Sequence, residues 1–406
     1  MQRFLASLLL VCSSLLAATS ASAKTEQQTI VLISIDGFRY NYIEQHHAEH
    51  LNHLAEQGVR AEGLMPVYPS KTFPNHLSIV TGQYPSHHGI VDNNFYDTER
   101  KEHYKMADGT EDSTWLHTLP IWNLAEFQGV KSATFFWPES SARINGRTPT
   151  YYYPYSNFTP NQQRVDQIIQ WLQLPEQSRP RMITGYFSIV DSMGHKFGPD
   201  SKQTRGAVQA VDKLIGQLWQ RIQDETEGSV NLIVVSDHGM APIKVDAMIE
   251  EDDLAIDEEK FTTVNSQTRY LIYANEDTSA DDIAALRTQL ENNSDLGYRV
   301  ETDDKLKQLH VSDGPRKPAI VLSTDAPVSF ATRPVEERSN GGRHGYYNNR
   351  DMDGLFVAVG PAFKNGMTID RFENIHIYPL MADILDLKLM TKIDGEIAVL
   401  KPILNN

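Results

Sequence analysis

The sequence predicts an α/β fold with a mainly parallel central sheet that is flanked by helices. The first observation is a set of short, continuous apolar runs rich in β-branched residues, beginning with IVLISI at 30–35. Such runs, which lack polar alternation, are typical of strands buried on both faces, as in a parallel sheet. The second observation is that helix-like stretches separate these runs, which favours strand–helix–strand units. Ligands of such sheets bind beyond the carboxyl ends of the strands.

Each element follows from a local pattern. The apolar runs predict strands at 30–35, 132–137, 182–190, 230–235 and 355–360. Helical character is predicted at 43–57, in a segment that follows Thr72, and at 119–128, 165–172, 207–222 and 377–387. The stretch 207–222 is the clearest helix, because its apolar residues recur at steps of three and four. Together these elements describe one large α/β unit.

The composition of the sequence and the order of its predicted elements change between about residues 245 and 330. An acidic segment at 250–259 precedes a strand, a helix and a strand predicted at 269–273, 282–290 and 318–322. This order predicts a small α+β lobe inserted in the main domain. The alternative is an ordinary continuation of the central sheet.

The N-terminus has the pattern of a secretory signal. A short basic start is followed by an apolar run at 4–18 and by Ala21-Ser22-Ala23, which fits a cleavage site. The run is shorter than the roughly 20 residues that span a membrane. We therefore expect cleavage after Ala23, a secreted or periplasmic domain at 24–406, and no membrane span in the mature chain. The single cysteine, Cys12, lies inside this signal, so a cysteine-based zinc site, nucleophile or disulfide is excluded.

The formal net charge of −16 narrows the possible ligands. It argues against a broad nucleic-acid-binding surface, which requires clustered lysine and arginine. It does not argue against a small phosphate ester held by metal ions, because bound cations reverse the local field.

Three aspartates follow predicted strands. Asp36, Asp191 and Asp237 each come at the end of an apolar run, where side chains reach the carboxyl edge of the sheet. A single aspartate at such a place is usually a turn former or helix cap. Here, however, His195 lies four residues after Asp191, and His238 is adjacent to Asp237. A glycine-flanked His344 follows near the C-terminus.

Three carboxylates and three imidazoles suit zinc better than magnesium or calcium, which prefer oxygen ligands. Six ligands are too many for one catalytic zinc and fit two zinc ions with three each. Two metals about 3.5–4 Å apart can clamp both the attacking and the leaving oxygen of a displacement at phosphorus. The sequence therefore predicts a two-zinc site at the sheet edge.

Thr72 is the candidate nucleophile. It lies in PSKTFPNH at 69–76, at or just before the predicted start of a helix, where free backbone N–H groups favour anions. Read alone, a threonine there is an N-cap. A neighbouring metal could instead activate its hydroxyl, which is inert at its free pKa.

Several motifs together resemble the nucleotide pyrophosphatase/phosphodiesterase family of the alkaline phosphatase superfamily, in its compact, bacterial-type form. They occur in family order from about residue 30 to 390: VLISIDGFR at 31–39, YPSKTFPNHL at 68–77, TGQYPSHHGIVDNN at 81–94, DSMGH at 191–195, SDHGM at 236–240 and GRHG at 342–345. The resemblance implies an alkaline-phosphatase-like core and a catalytic phosphodiesterase domain at 24–406.

The resemblance also implies roles for individual residues. One zinc would take Asp36, Asp237 and His238, with Thr72 as its reacting ligand, and the other would take Asp191, His195 and His344. The Asn93 amide would bind a non-bridging phosphoryl oxygen. Phe73 and Tyr155 would sandwich a nucleobase, whereas the alternative for both aromatics is ordinary packing.

The resulting hypothesis is a zinc-dependent phosphodiesterase or nucleotide pyrophosphatase. It would hydrolyse small nucleotide substrates to nucleoside monophosphates through a covalent phosphoryl-threonine. The alternatives within the superfamily are a choline or lysophospholipid phosphodiesterase, which needs a cation-binding pocket, and a phosphomonoesterase, which needs an added cation near the phosphate.

Overall fold

A computed structural model of the chain describes residues 27–333, 337, 339–347 and 349–405. The predicted signal peptide lies outside these residues. Within them, the strands, numbered in chain order, are β1 (Gln28–Ile35), β2 (Val59–Ala61), β3 (Leu64–Met65), β4 (Asn94–Asp97), β5 (Glu102–Lys105), β6 (Ser132–Phe135), β7 (Tyr151–Tyr152), β8 (Met182–Phe187), β9 (Ser229–Val235), β10 (Ala241–Pro242), β11 (Met248–Ile249), β12 (Phe261–Asn265), β13 (Arg269–Ala274), β14 (Tyr298–Val300), β15 (Ile320–Thr324), β16 (Ser329–Phe330), β17 (Gly342–Arg343), β18 (Phe356–Val359), β19 (Met367–Ile369) and β20 (Phe372–Glu373).

The α-helices of the described residues are numbered in the same way. They are α1 (Tyr42–His46), α2 (Glu49–Gln57), α3 (Thr72–Thr81), α4 (Pro85–His88), α5 (Asp108–Glu111), α6 (Ile121–Phe127), α7 (Asn161–Leu172), α8 (Ile189–Phe197), α9 (Lys202–Glu225), α10 (Ala280–Asn292), α11 (Asp303–Gln308), α12 (Ile377–Ile384) and α13 (Ile397–Leu400). In the part of the chain described, no helix combines the length and the apolar character needed to cross a membrane.

The core is an eight-stranded mixed sheet in the order β19-β2-β18-β9-β1-β8-β6-β7. Strand β1 lies at its centre and pairs in parallel with both β8 and β9. Only β18 runs against its neighbours, β9 and β2. The predicted α/β class with a mainly parallel sheet is confirmed.

Both faces of this sheet are covered. Along β1, Ile30 and Leu32 belong to one hydrophobic cluster, whereas Val31 and Ile33 belong to the other. Helices α3, α6 and α12 contribute to the first cluster, and α2, α7 and α9 contribute to the second. The continuous apolar run of β1 therefore reflects burial on both sides.

Two predicted elements differ from the structure by more than a shift of their ends. The helix predicted at 43–57 is two helices, because His47 adopts a left-handed conformation with φ 58° between α1 and α2. The strand predicted at 182–190 ends at Phe187, and Ile189 begins helix α8. The apolar residues that extend the run therefore belong to the first turn of a helix.

A second sheet is formed by the segment between β9 and β18. It has four antiparallel strands in the order β12-β13-β15-β14, and helices α10 and α11 lie in the same stretch. Ile272 and Leu322 belong to its own hydrophobic cluster, whereas Leu271 and Val321 join the cluster on one face of the central sheet. One face of this small sheet thus packs on the main body. The predicted division of the chain into a main domain and an inserted lobe at about 245–330 stays a prediction.

Candidate active site

Thr72 is the first residue of helix α3, and its side chain does not cap that helix. The N-cap position is Lys71, whose extended backbone precedes the first turn without a side-chain capping bond. The Thr72 hydroxyl instead lies 3.3 Å from Nε2 of His238. Thr72 therefore places a hydroxyl that does not cap the helix beside His238, at the anion-favouring N-terminus of α3.

Asp36, Asp237 and His238 meet where two parallel strands end. Asp36 follows β1 directly, and Asp237 is the second residue after β9, the neighbour of β1 in the sheet. Nε2 of His238 lies 3.5 Å from Oδ1 of Asp36 and 3.0 Å from Oδ2 of Asp237. All three side chains are buried, and one ligand atom from each lies within 4.8 Å of the others.

Asp191, His195 and His344 form a second group beside the first. Asp191 Oδ1 lies 3.2 Å from His195 Nε2 and 3.7 Å from His344 Nε2, and the two Nε2 atoms are 3.1 Å apart. The His238 ring stacks on the His344 ring with centroids 3.5 Å apart. His238 therefore joins the two groups, and one atom each of Asp191, His238 and His344 also lies within 4.8 Å of the others.

Asp191 reaches this site from a helix and not from a strand end as predicted. It is the third residue of α8, so that His195 lies one turn further along the same face. The turn is held against β1 because the Asp191 N–H donates to the Asp36 carbonyl at 3.1 Å. Gly37 permits this contact, since its φ is +69° and a Cβ there would lie 2.9 Å from Asp191 Cα.

The imidazoles are oriented by the backbone. In each case Nδ1 lies 2.9 Å from a carbonyl oxygen: Gly342 for His195, Gly239 for His238 and Ser70 for His344. If each Nδ1 carries the proton that these contacts call for, each Nε2 keeps its lone pair free toward the carboxylates. This is the usual arrangement of histidines that bind a metal ion.

The carboxylates have buried oxygens without a hydrogen-bond partner among the described residues. These atoms are Oδ1 of Asp36, Oδ1 of Asp191 and Oδ2 of Asp237. Orphaned buried oxygens are uncommon and call for an ion or another partner. A divalent cation that accepts both nitrogen and oxygen ligands fits this donor set. The residues present thus form candidate metal-binding groups.

The pKa shifts of the site residues also favour a bound cation. Burial, together with the charges of Asp237 and Asp191, raises the pKa of Asp36 well above its ordinary value. Burial opposes ionisation of Asp237, but the His238 and His76 imidazoles, when each carries a second proton, outweigh it and hold the pKa of Asp237 well below the usual range. A cation bound at Nε2 of His238 would supply positive charge in place of that proton. Burial and then the neighbouring His238 and His195 lower the pKa of His344. Crowded carboxylates of this kind favour a bound cation.

A cavity of about 690 Å³ opens onto both groups. Thr72, Phe73, Asn93 and Tyr155 line it together with Asp36, Asp191, His195 and His344. Oδ1 of Asn93 accepts the backbone N–H of Phe73 at 2.8 Å. The Tyr155 ring is half-exposed and meets the edges of Phe136 and Tyr186 at 5.2 and 5.9 Å. Every site residue predicted from the sequence therefore lies at, or directly beside, one cavity.

Sequence reasoning missed two supporting residues. The buried His76 has Nδ1 3.3 Å from Asp237 Oδ2 and Nε2 2.8 Å from Ser34 Oγ. The Tyr186 hydroxyl donates to Asp36 Oδ2 at 2.5 Å, which leaves Oδ1 as the free oxygen. The spacing of four between Thr72 and His76 on one helix was a signal for the first. No comparable signal marks Tyr186.

Comparisons with known proteins indicate the family of the chain. The family model "Type I phosphodiesterase / nucleotide pyrophosphatase" matches residues 30–347. A venom phosphodiesterase from Macrovipera lebetinus is 35% identical over 388 residues, which make up 93% of this chain and 45% of that protein. Human ectonucleotide pyrophosphatase/phosphodiesterase family member 1 is 34% identical over 377 residues, or 89% of this chain and 40% of that protein. The chain thus spans less than half the length of these curated relatives.

Solved structures extend the likeness to the fold. Human ectonucleotide pyrophosphatase/phosphodiesterase 5 superposes with a TM-score of 0.85 at 27% identity, over 93% of this chain and all of that one. The murine form of that protein, as an inactive threonine-to-alanine variant in complex with AMP, gives a TM-score of 0.84 at 26% identity, with the same coverage. The central sheet and its helices therefore have an alkaline-phosphatase-like arrangement.

Proposed function

Because the chain belongs to the type I phosphodiesterase/nucleotide pyrophosphatase family, we propose that it hydrolyses phosphodiester or phosphoanhydride bonds of nucleotides. The products would be nucleoside monophosphates, and residues 24–406 would be the catalytic domain. One observation carries this proposal. The Thr72 hydroxyl does not cap its helix and lies 3.3 Å from His238 Nε2, in the cavity onto which both carboxylate–histidine groups open. The inactive threonine-to-alanine variant and bound AMP of the murine neighbour support it.

Two zinc ions are part of the proposal. Asp36, Asp237 and His238 would hold one ion together with the Thr72 oxygen, and Asp191, His195 and His344 would hold the other. When bound, the ions would supply Lewis acidity and a lowered pKa for hydroxyl groups at the site. The free Nε2 atoms and orphaned carboxylate oxygens described above are the atoms available for this.

Thr72 is the nucleophile of the first step. Its oxygen loses a proton, which passes through solvent to the leaving group, and forms a bond to phosphorus while the bond to the leaving group breaks. This gives a covalent phosphoryl-threonine. Water then attacks phosphorus from the vacated side, the bond between phosphorus and the Thr72 oxygen breaks, and the proton that the water loses returns to Thr72 as the monophosphate leaves. The N-terminus of α3 favours the negative charge that gathers on the phosphoryl oxygens.

Asn93 would stabilise that charge with a hydrogen bond. Its Oδ1 is already used by the Phe73 N–H, so its amide nitrogen is the group left to donate. A donor that is held before the reaction starts needs no reorganisation in the transition state.

Phe73 and Tyr155 would hold the nucleobase. Both line the cavity beside Thr72, and the Tyr155 side chain is half-exposed. Base–aromatic stacking contributes about 1–3 kcal/mol per base. The residue next to the nucleophile would thus also contribute to specificity.

The three cations of the motifs do not favour a phosphomonoesterase. The extra cation that a monoester needs is not offered by Lys71, because its ammonium is buried and donates to the Ser266 carbonyl at 2.8 Å. Arg39 is likewise engaged by Asp200, Asp351 and the Met240 carbonyl. Nη1 of Arg343 lies 3.4 Å from His195 Nδ1 but donates to the Gly342 carbonyl at 2.8 Å. Choline and lysophospholipid diesters remain the alternative that the experiment must separate.

A panel of three p-nitrophenyl esters tests the proposal: thymidine 5′-monophosphate p-nitrophenyl ester, p-nitrophenyl phosphate and p-nitrophenyl phosphocholine. Zinc stoichiometry is measured on the same sample. We expect fastest turnover of the nucleotide ester with about two zinc ions per chain. Thr72→Ala should abolish turnover and retain zinc. Substantial residual activity in that variant would refute the nucleophile, and preference for another ester would refute the substrate class.

If the predicted signal peptide at 1–23 is cleaved, the enzyme acts in the periplasm or outside the cell. Mass spectrometry of the protein secreted by its own host tests this. A new N-terminus at Lys24 is the expected result.

A further inference from the structure

We propose that the buried Asp92–Arg269 ion pair, together with Ser266, is a positioning device that holds the Asn93 amide in place for the reaction. This inference rests on the proposed function, because it presumes that Asn93 contacts the phosphoryl group. It also gives the four-stranded sheet at 261–324 a role in the chemistry, although none of its residues is assigned as a zinc ligand.

Asp92 lies immediately before Asn93 and is completely buried. Its Oδ1 accepts two hydrogen bonds, from the Asn93 backbone N–H at 2.7 Å and from Ser266 Oγ at 2.8 Å. Its Oδ2 accepts a hydrogen bond from the Arg269 guanidinium. The carboxylate therefore fixes the backbone of Asn93 from one side and is itself fixed by the small sheet.

Arg269 is the first residue of β13 and is also buried. Its guanidinium stacks over the Tyr68 ring, 4.7 Å from the centroid. A planar, stacked guanidinium has little freedom to move, unlike an ammonium on a flexible stem. The position of Asp92 is thus set by a rigid group on a strand of the small sheet.

The same turn holds the other side of the reaction centre. The carbonyl of Ser266 accepts a hydrogen bond from the Lys71 ammonium at 2.8 Å, and Lys71 immediately precedes Thr72. Residues 266–269, the turn between β12 and β13 with its first strand residue, therefore bind the residue before the nucleophile and the residue before Asn93. The distance between these two groups is determined by one short segment of the small sheet.

The side chain of Asn93 completes the device. Its Oδ1 accepts a hydrogen bond from the Phe73 N–H, and its backbone N–H donates one to the Asp92 carboxylate. With Asp92 displaced, the backbone anchor is lost and the amide nitrogen can turn away from phosphorus. Because hydrogen bonds to a transition state depend steeply on placement, kcat should fall more than substrate binding weakens.

A double-mutant cycle tests this inference. We measure kcat and KM for thymidine 5′-monophosphate p-nitrophenyl ester with Asp92→Asn and Arg269→Met, each in the wild-type and Asn93→Ala backgrounds. In the wild-type background we expect kcat to fall about tenfold or more with KM within about twofold. In the Asn93→Ala background the same changes should lower kcat by less than about twofold, because the group they position is absent. Arg269→Lys should restore part of the activity.

A matched control is available in the same region. Arg316 donates to Asp97 at 2.9 Å, and this buried ion pair also joins the 245–330 segment to the chain near β4. Arg316→Met should lower the melting temperature without changing kcat by more than about twofold. If Asp92→Asn or Arg269→Met does not fold, the double variant Asp92→Asn/Arg269→Met, which leaves no unpaired buried charge, replaces it.

The outcomes are distinguishable. Equal losses of kcat in both backgrounds would overturn the positioning role and leave the proposed function intact. A loss with Arg316→Met as large as that with Arg269→Met would also overturn it. If Asn93→Ala alone leaves kcat unchanged, the role of Asn93 in the proposed function fails, and this inference fails with it.

Discussion

The carboxamide oxygen of Asn93 accepts the backbone N–H of Phe73 at 2.8 Å. This bond joins the residue next to the nucleophile to the residue proposed to bind the phosphoryl oxygen. It occupies the oxygen of the amide, so the nitrogen is the end that can donate to a substrate. In the proposed mechanism Phe73 would therefore orient Asn93, and Asn93 would orient the substrate.

Asn93→Asp separates these two roles. The carboxylate can still accept the Phe73 N–H, but it has no donor and places a negative charge beside the phosphoryl group. We expect kcat to fall by about 10²- to 10³-fold, the usual loss for one oxyanion donor. The measurement is steady-state hydrolysis of the nucleotide ester at fixed zinc concentration.

The neighbouring Asn94 supplies a control for charge alone, because it lines the same cavity. Asn94→Asp should lower kcat by less than about tenfold. Equal losses in the two variants would mean that charge, and not the lost donor, causes the effect of Asn93→Asp.

The local pattern of the sequence was sufficient for the buried strands. In β1 and β9 every residue except Gln28 is buried, and a continuous apolar run can only report that. The same run carries no information on direction, so the antiparallel β18 could not be distinguished from its parallel neighbours. For the same reason the run through Ile189 and Val190 hid the change from strand to helix before Asp191.

The candidate site could be assembled from motifs because the proposed ligands Asp36, Asp237 and His238 closely follow strand ends, whereas Asp191 and His195 are four residues apart on α8. Its supporting contacts could not. Asp92 and Arg269 are 177 residues apart, and Tyr186 and Asp36 are 150 residues apart. Pairings at such separations depend on how the small sheet packs and on strand order, neither of which a local pattern records. The motifs thus indicated the proposed ligands and Thr72, but not the groups that hold them.

Gly37→Ala should damage the metal site more than the fold. A Cβ at this position would lie 2.9 Å from Asp191 Cα, and φ is +69°. The left-handed conformation alone costs an alanine about 1–2 kcal/mol. The clash in addition moves Asp191 away from Asp36, so we expect bound zinc to fall below two per chain. Elemental analysis after gel filtration measures this.

Gly129→Ala is the matched control for Gly37→Ala. Gly129 also has a positive φ, +79°, but nothing lies within 4 Å of a Cβ placed there. This variant should show only the conformational cost, with the zinc content of the wild type. A normal zinc content in Gly37→Ala would show that α8 can shift without opening the site.

Removal of metal should lower the melting temperature through the buried carboxylates. An ion that binds only the folded state stabilises it by about 2.7 kcal/mol at a free concentration 100 times its Kd. We expect chelation to lower the melting temperature by several degrees and added zinc to restore it. Differential scanning fluorimetry at fixed free zinc concentrations measures the shift.

Two carboxylate variants show whether this shift comes from the site. Asp191→Asn should shrink the zinc-dependent shift, because it removes a proposed ligand. Asp212→Asn alters a buried carboxylate on α9 that accepts the His50 and Leu51 N–H groups and does not line the cavity. It should lower the melting temperature equally with and without zinc. A full zinc shift in Asp191→Asn would exclude that residue as a ligand.

His88 should make the protein less stable in acid. It is completely buried; burial, with His117, His87 and Arg316 acting in the same direction, outweighs its bond to the Pro74 carbonyl and lowers its pKa from 6.5 to about 3. Nδ1 accepts the Ile90 N–H at 3.2 Å, so a proton there would face another donor. The unfolded chain therefore binds this proton more readily, and stability falls as pH drops from 6.5 toward 3.

His88→Gln removes this source of pH dependence. At pH 5 the histidine should cost the wild type about 2 kcal/mol of unfolding free energy relative to pH 7, from 1.5 pH units at about 1.36 kcal/mol each. Urea unfolding at pH 7 and pH 5 should therefore show a smaller pH-dependent loss in His88→Gln than in the wild type, whatever constant amount the lost hydrogen bonds cost. The exposed His53 serves as control, and His53→Gln should keep the wild-type difference. An unchanged difference in His88→Gln would mean that the chain opens around His88 and admits the proton at little cost.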